Sequence, residues 1–277
     1  MSYLSVSTWS LHRCLGPLHW TVWNESAGSH ETVLQPEPQL FNLLELPALA
    51  KAKGYSAVEV CHFHMPDRSE SYLADLRGAF HDAGLSFDTL LLDYGDLSSG
   101  DERRRQADFG LMMEWIDAAS LAGARRIRIV AGESPPEDEA AFARSALGLS
   151  TLAEYAGQRG VEVVTENFKA LASTPDSCQK LLQTAGPGVG FITDFGNYGR
   201  DGKLAAIAAT APRSVSVHVK PDYDERGIPD EAGLTAMLDA VQSSGFDGAY
   251  VLIYDGPGDM WEGISRVQAI VKQHLEM

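Results

Sequence analysis

Cysteine is scarce and unpatterned in this chain of 277 residues: Cys14, Cys61 and Cys178 stand far apart, which excludes a disulfide framework and a zinc ribbon. Each reads as a small buried hydrophobe. Long apolar runs are missing as well, and no stretch approaches the length that crosses a bilayer as a helix. The opening Met1-Ser2-Tyr3-Leu4-Ser5 lacks the basic-then-apolar layout of a signal peptide, so the expected location is cytoplasmic, with no membrane partner. Positive charge is in short supply: 22 Lys and Arg face 38 Asp and Glu, a formal net charge of −16. Sequence-independent nucleic-acid binding needs a basic footprint and is excluded on that ground. No low-complexity linker or internal repeat divides the chain. Its 44% hydrophobic content suffices for one large core, so residues 1–277 are read as a single domain.

What the chain does have is a regular alternation of two patterns. Short runs rich in β-branched residues predict eight strands at roughly 3–8, 56–61, 86–92, 126–131, 161–166, 189–194, 214–220 and 249–255. Helical periodicity fills the gaps, at about 40–53, 69–83, 102–122, 137–158, 175–185, 201–210, 230–244 and 260–274. Ser69 or Ser71 can cap the second helix, Gly123 closes the third, and Pro175 after Thr174 suits a first turn. Eight such units predict an α/β fold of the (β/α)8 TIM-barrel type. The doubly wound alternative lacks a glycine-rich phosphate turn after its first strand. One connection is long: Leu11 to Pro38 carries His12, His19, Trp20, Trp23 and His30. A loop of that length is expected either to pack against a second subunit of a homo-oligomer or to cover the barrel mouth as a lid.

Several predicted strands end on groups suited to chemistry. The run Val161-Glu162-Val163-Val164-Thr165-Glu166-Asn167 finishes on a carboxylate, Gly190-Phe191-Ile192-Thr193-Asp194 on another, and Ser214-Val215-Ser216-Val217-His218 on an imidazole. Barrel active sites are built at the carboxyl ends of strands. Two carboxylates at one height repel unless a cation or proton lies between them. A divalent ion, Mn2+, Mg2+ or Zn2+, is therefore the expected cofactor, with Glu166, Asp194 and His218 as ligands. Arg128 and Lys220 are expected to touch an anionic or hydroxyl group of the substrate, or else to form salt bridges in the barrel. Glu59 is expected to hold a substrate hydroxyl or a neighbouring Arg. His62 and His64 read as solvated loop histidines.

The ordered set Val6-Ser7-Thr8-Trp9-Ser10-Leu11-His12, Ala57-Val58-Glu59-Val60, Thr165-Glu166-Asn167, Thr193-Asp194-Phe195-Gly196-Asn197 and His218-Val219-Lys220-Pro221-Asp222 resembles the xylose-isomerase-like TIM-barrel superfamily of sugar phosphate isomerases and epimerases. The resemblance implies a metal held by Glu, Asp, His and a second Glu. It places the first three on Glu166, Asp194 and His218, and it sets His12 near the substrate. The fourth does not carry over, because Ile253 stands where the second Glu is usual. Asp255, two residues on, is the expected displaced ligand and second catalytic group beside Glu166. Phe168 and Asn197 also replace histidines common in relatives.

The resemblance thus implies a metal-dependent isomerase or epimerase of a small sugar or sugar derivative, working through an enediolate. Substrate contacts are expected from His12, Trp23, Glu59, Arg128 and Lys220. A dehydratase or lyase using the same mouth is the alternative, since a missing second Glu hampers two-base epimerisation. A non-catalytic sugar-binding protein is the third reading, and a related DNA-repair endonuclease is opposed by the acidic charge.

Overall fold

The computed structural model describes residues 2–275. Among them, eight parallel strands close into a barrel: β1 (Tyr3–Ser7), β4 (Ala57–Cys61), β5 (Ser86–Leu92), β6 (Arg126–Ile129), β7 (Glu162–Glu166), β8 (Val189–Asp194), β9 (Ser214–Val219) and β10 (Ala249–Leu252). Neighbours in sequence are neighbours in the sheet, and β1 closes the ring against both β10 and β4. The strands read as near-continuous apolar runs because each is covered on both faces, by the barrel interior and by the helices outside.

Those helices are α1 (Leu46–Ala52), α2 (Glu70–Asp82), α3 (Glu102–Ala122), α4 (Glu139–Gly157), α5 (Pro175–Ala185), α6 (Lys203–Thr210), α7 (Glu231–Ser243) and α8 (Met260–His274). Their ends follow the local chemistry. Ser69 caps α2 by accepting the Tyr72 N–H, and Thr174 with Ser177 forms a capping box at α5. Gly123 ends α3 with φ of 78°, in the left-handed region where a side chain is disfavoured.

The long first loop departs from expectation. It folds into an antiparallel hairpin, β2 (Leu18–Asn24) with β3 (Ser29–Gln35), standing apart from the barrel sheet. The hairpin is tied to α3: His30 Nε2 lies 2.8 Å from Oδ1 of fully buried Asp108, and Arg103 donates to the Ala27 carbonyl at 3.1 Å.

At the opposite, amino-terminal end of the barrel, Asp88 on β5 is fully buried. Arg126 reaches it at 3.0 Å and Glu162 at 3.0 Å, while the Tyr3 hydroxyl donates to it at 2.8 Å. Burial pushes the Asp88 carboxyl above its ordinary value despite Arg126. Arg126→Met strands that charge with only the half-exposed Arg125 at 3.3 Å. The expected loss is about 3 kcal/mol, the lower end for a broken buried pair, read from urea denaturation with the barrel mouth unaffected.

Candidate active site at the barrel mouth

Strand direction places the carboxyl ends of β6 to β9 around one cavity of about 340 Å3. Three side chains converge in it. Ligand atoms of Glu166, Asp194 and His218, all buried, lie within 4.8 Å of one another, and among the described residues no other such group of His, Cys, Asp and Glu occurs. His218 Nδ1 is 3.3 Å from Asp194 Oδ2 and 3.7 Å from Glu166 Oε1.

Each member is held from behind. Asn197 Nδ2 donates to Glu166 Oε1 at 2.9 Å, and Arg128 Nη1 stands 3.1 Å from Oε2. Asp194 Oδ1 accepts the Gly196 and Asn197 amides at 2.6 and 3.0 Å. The Asn167 side chain clamps the β8 end by accepting the Asp194 N–H at 2.6 Å and donating to the Asp194 carbonyl at 2.9 Å. Gly196 is needed here for close approach: a Cβ would meet Lys220 Cδ at 2.7 Å.

His218 points its other nitrogen inward, with Nε2 2.8 Å from Glu59 Oε2. Glu59 is fully buried and does not line the cavity. It lies two residues below Cys61, which does, and so one layer deeper in the barrel, roughly 6–7 Å. The expected substrate contact from Glu59 is therefore corrected: it fixes the imidazole, leaving Nδ1 to face the carboxylates.

The charges follow from this geometry. Burial pushes the Glu166 carboxyl above its ordinary value, against the pull of Arg128 and His218. Burial acts the same way on Asp194, but the His218 hydrogen bond and charge, with Lys220 and the Gly196 amide, outweigh it and leave Asp194 lowered. His218 is held well above the usual imidazole value: burial opposes its charged form, and the Glu59 and Glu166 charges overcome that. The donor set of two carboxylates and one imidazole suits a divalent cation. Glu166 Oε2 faces the Arg128 guanidinium, and Oε1 is the oxygen turned toward His218.

The remaining expected residues divide. Arg128 lines the cavity, bridging Asp93 and Glu166 with its guanidinium over the Phe168 ring at 5.1 Å. Lys220 lines it too, but its Nζ is 2.6 Å from Asp255 Oδ2. Asp255 is thereby engaged with Lys220 and lies outside the cluster; β10 ends at Leu252, so the two-residue alternation that would stack Asp255 over Ile253 does not extend that far. Ile253 itself forms part of the cavity wall.

His12 stacks on Trp9 at 4.5 Å, with Nδ1 2.7 Å from the Trp9 carbonyl oxygen; Trp9, not His12, lines the cavity. Trp23 is likewise replaced by Trp20, since residues three apart in a strand face opposite sides. Trp23 stands edge-on to His30 at 5.3 Å. His62 and His64 are not solvated but buried, and burial lowers both to about 3.

Reading the sequence alone missed Trp9, Trp20, Asp93 and Lys169. The last has φ of 66°, the one positive value at a non-glycine residue among those described, and it sits at the cavity edge where such strain, about 1–3 kcal/mol, is commonly kept.

Solved structures share this architecture. An L-ribulose 3-epimerase is similar over 100% of this chain and 95% of its own, with 16% identity and a TM-score of 0.75. A D-allulose 3-epimerase from Methylomonas sp. is similar over 98% and 97%, with 15% identity and a TM-score of 0.71. A probable 3-DHS dehydratase from Bacillus anthracis is similar over 98% and 99%, with 16% identity and a TM-score of 0.69. At these identities the likeness speaks for the fold. No curated protein matches the chain. The sequence model of the xylose isomerase-like TIM barrel family matches residues 47–272, and the chain belongs to that family.

Proposed function

We propose that the protein is a metal-assisted isomerase or epimerase of a sugar or sugar derivative, acting by removal of a proton from the carbon next to a carbonyl. The observation that carries this is the convergence of Glu166, Asp194 and His218, from three successive strands, on one point of the cavity. Relatives of the same fold with epimerase and dehydratase activities support it. A divalent ion held by these three side chains would supply a Lewis acid beside the substrate's oxygens.

The chain's own groups do the rest. Glu166 takes the proton; Asn197 and Arg128 fix its two oxygens so that the carboxylate does not rotate during transfer. Burial raises its affinity for a proton, the direction in which a carboxylate becomes a stronger base. Lys220, braced by Asp255, offers an ammonium donor to a substrate oxygen, so Asp255 acts through Lys220.

Ile253 favours a second reading. With an apolar side chain where a second base would stand, one carboxylate serves one face of the substrate. That suits β-elimination: Glu166 takes the proton, the C–H electrons form the double bond, the C–O bond on the next carbon breaks, and Glu166 returns its proton to the departing hydroxide, which leaves as water.

Proton NMR in D2O tests both, with L-ribulose, D-allulose and 3-dehydroshikimate as probes. Deuterium entering next to the carbonyl with the carbon skeleton and hydroxyls intact is the expected result. Net loss of water instead moves the protein to the lyases, and no exchange on any probe leaves a sugar-binding protein.

A further inference from the structure

A second cavity, of about 490 Å3, lies between the hairpin, the segment after β4 and α3. It shares no lining residue with the cavity at the barrel mouth. Strand alternation keeps the two apart: on β2, Trp20 lines the first, whereas His19 and Thr21 line the second.

Two ring N–H groups of the second cavity have no acceptor. His62 is 2% exposed, and its Nδ1 accepts the Asp93 backbone N–H at 3.2 Å. Burial, with the Arg128 charge, keeps this imidazole neutral, so its one proton is on Nε2. Nε2 has no hydrogen-bond partner among the described residues, and neither has the indole Nε1 of Trp115, a residue 5% exposed. The two rings meet edge-on with centroids 5.5 Å apart. The Arg68 guanidinium lies over the Trp115 ring at 4.8 Å and holds Glu114 at 3.2 Å with one nitrogen. His62, Trp115 and Arg68 all line the cavity.

A buried donor without an acceptor is costly, and two on adjoining rings call for an acceptor supplied from outside the chain. Two neutral N–H groups beside one guanidinium match a carboxylate, which brings two acceptor oxygens and a single negative charge. Glu31 and Asp67 line the cavity too, both exposed. They repel a doubly charged ion such as phosphate more than a monoanion. His30 is already engaged with Asp108 at 2.8 Å.

We propose that this cavity is a second ligand site, for a small carboxylate whose oxygens accept from His62 Nε2 and Trp115 Nε1 beside the Arg68 guanidinium. The site is separate from the reaction assigned to Glu166 and stands or falls without it.

The test is a set of 1H–15N spectra of the indole groups in the full chain, titrated with sodium acetate, sodium chloride and sodium phosphate at matched ionic strength. The chain has five tryptophans, and Trp115→Phe identifies the Trp115 signal by its loss. Acetate is expected to move that signal downfield and to saturate, with chloride and phosphate moving it far less. Arg68→Ala and His62→Phe are each expected to raise the half-saturating acetate concentration about tenfold, the scale of one charge-assisted hydrogen bond. Arg68 is 41% exposed at its side chain, so its variant carries the test if loss of the His62 contact to Asp93 unsettles the fold. A Trp115 signal that acetate leaves in place, an equal response to chloride or phosphate, or half-saturation unchanged in the variants would overturn the proposal. So would a response confined to Trp9 and Trp20, which puts the acetate at the barrel mouth.

Discussion

Glu166→Gln abolishes deuterium exchange next to the carbonyl, lowering its rate by about 10²–10⁴-fold, the usual share of a general base. The substitution keeps the side-chain length and the Asn197 contact at Oε1, but an amide neither takes the proton nor matches the charge of Arg128. The effect is therefore expected in kcat more than in KM. Burial of a residue only 4% exposed makes a stability control necessary. A melting temperature within a few degrees of wild type, beside lost exchange, separates loss of the base from loss of the fold. Unchanged exchange would remove Glu166 from the reaction.

Glu59→Gln weakens divalent-ion binding by about 10–100-fold, as replacing the carboxylate behind a metal-bound histidine does in other proteins. The reason is visible in the hydrogen bond from His218 Nε2 to Glu59 Oε2 at 2.8 Å. The carboxylate holds the Nε2 proton, so the proton that an incoming ion displaces is the one on Nδ1, the nitrogen that faces Asp194 and Glu166. Glutamine holds the ring with either its oxygen or its nitrogen and no longer enforces that tautomer. Titration of Mn2+ into wild type and variant reads the difference without any substrate. Equal affinities would make Glu59 only a filler of the barrel interior.

Much of this was legible in the chain and the failures have physical causes. The barrel strands announce themselves because parallel strands buried on both faces are dense in Val, Ile and Leu, as in Val161-Glu162-Val163-Val164 and Ala249-Tyr250-Val251-Leu252. Glu166, Asp194 and His218 could be placed at one height because strand ends in a barrel share a level. The hairpin was missed although its strands carry Thr, Val and Trp in alternation. The turn at Glu25-Ser26-Ala27-Gly28 lacks the Asn-Gly or Asp-Gly signal of a two-residue hairpin. Without the strand register of β2, the sequence gives no way to choose Trp20 over Trp23. Glu59 and Asp255 failed for a different reason. Alternation gives the face of a residue but not its depth, and it says nothing beyond the last paired residue, which on β10 is Leu252. Lys169 leaves no trace in sequence, because a positive φ at a non-glycine residue is imposed by its surroundings.

The proposed reaction requires two acids and an imidazole from β7, β8 and β9 to act together around one cation. Mn2+ titration of the metal-stripped full chain, followed by electron paramagnetic resonance of the free ion, addresses it directly. One ion bound per chain, with Asp194→Ala and His218→Ala each weakening that binding by at least about tenfold, is the predicted outcome. A chain that takes up no Mn2+, or whose uptake is the same in both variants, would contradict it.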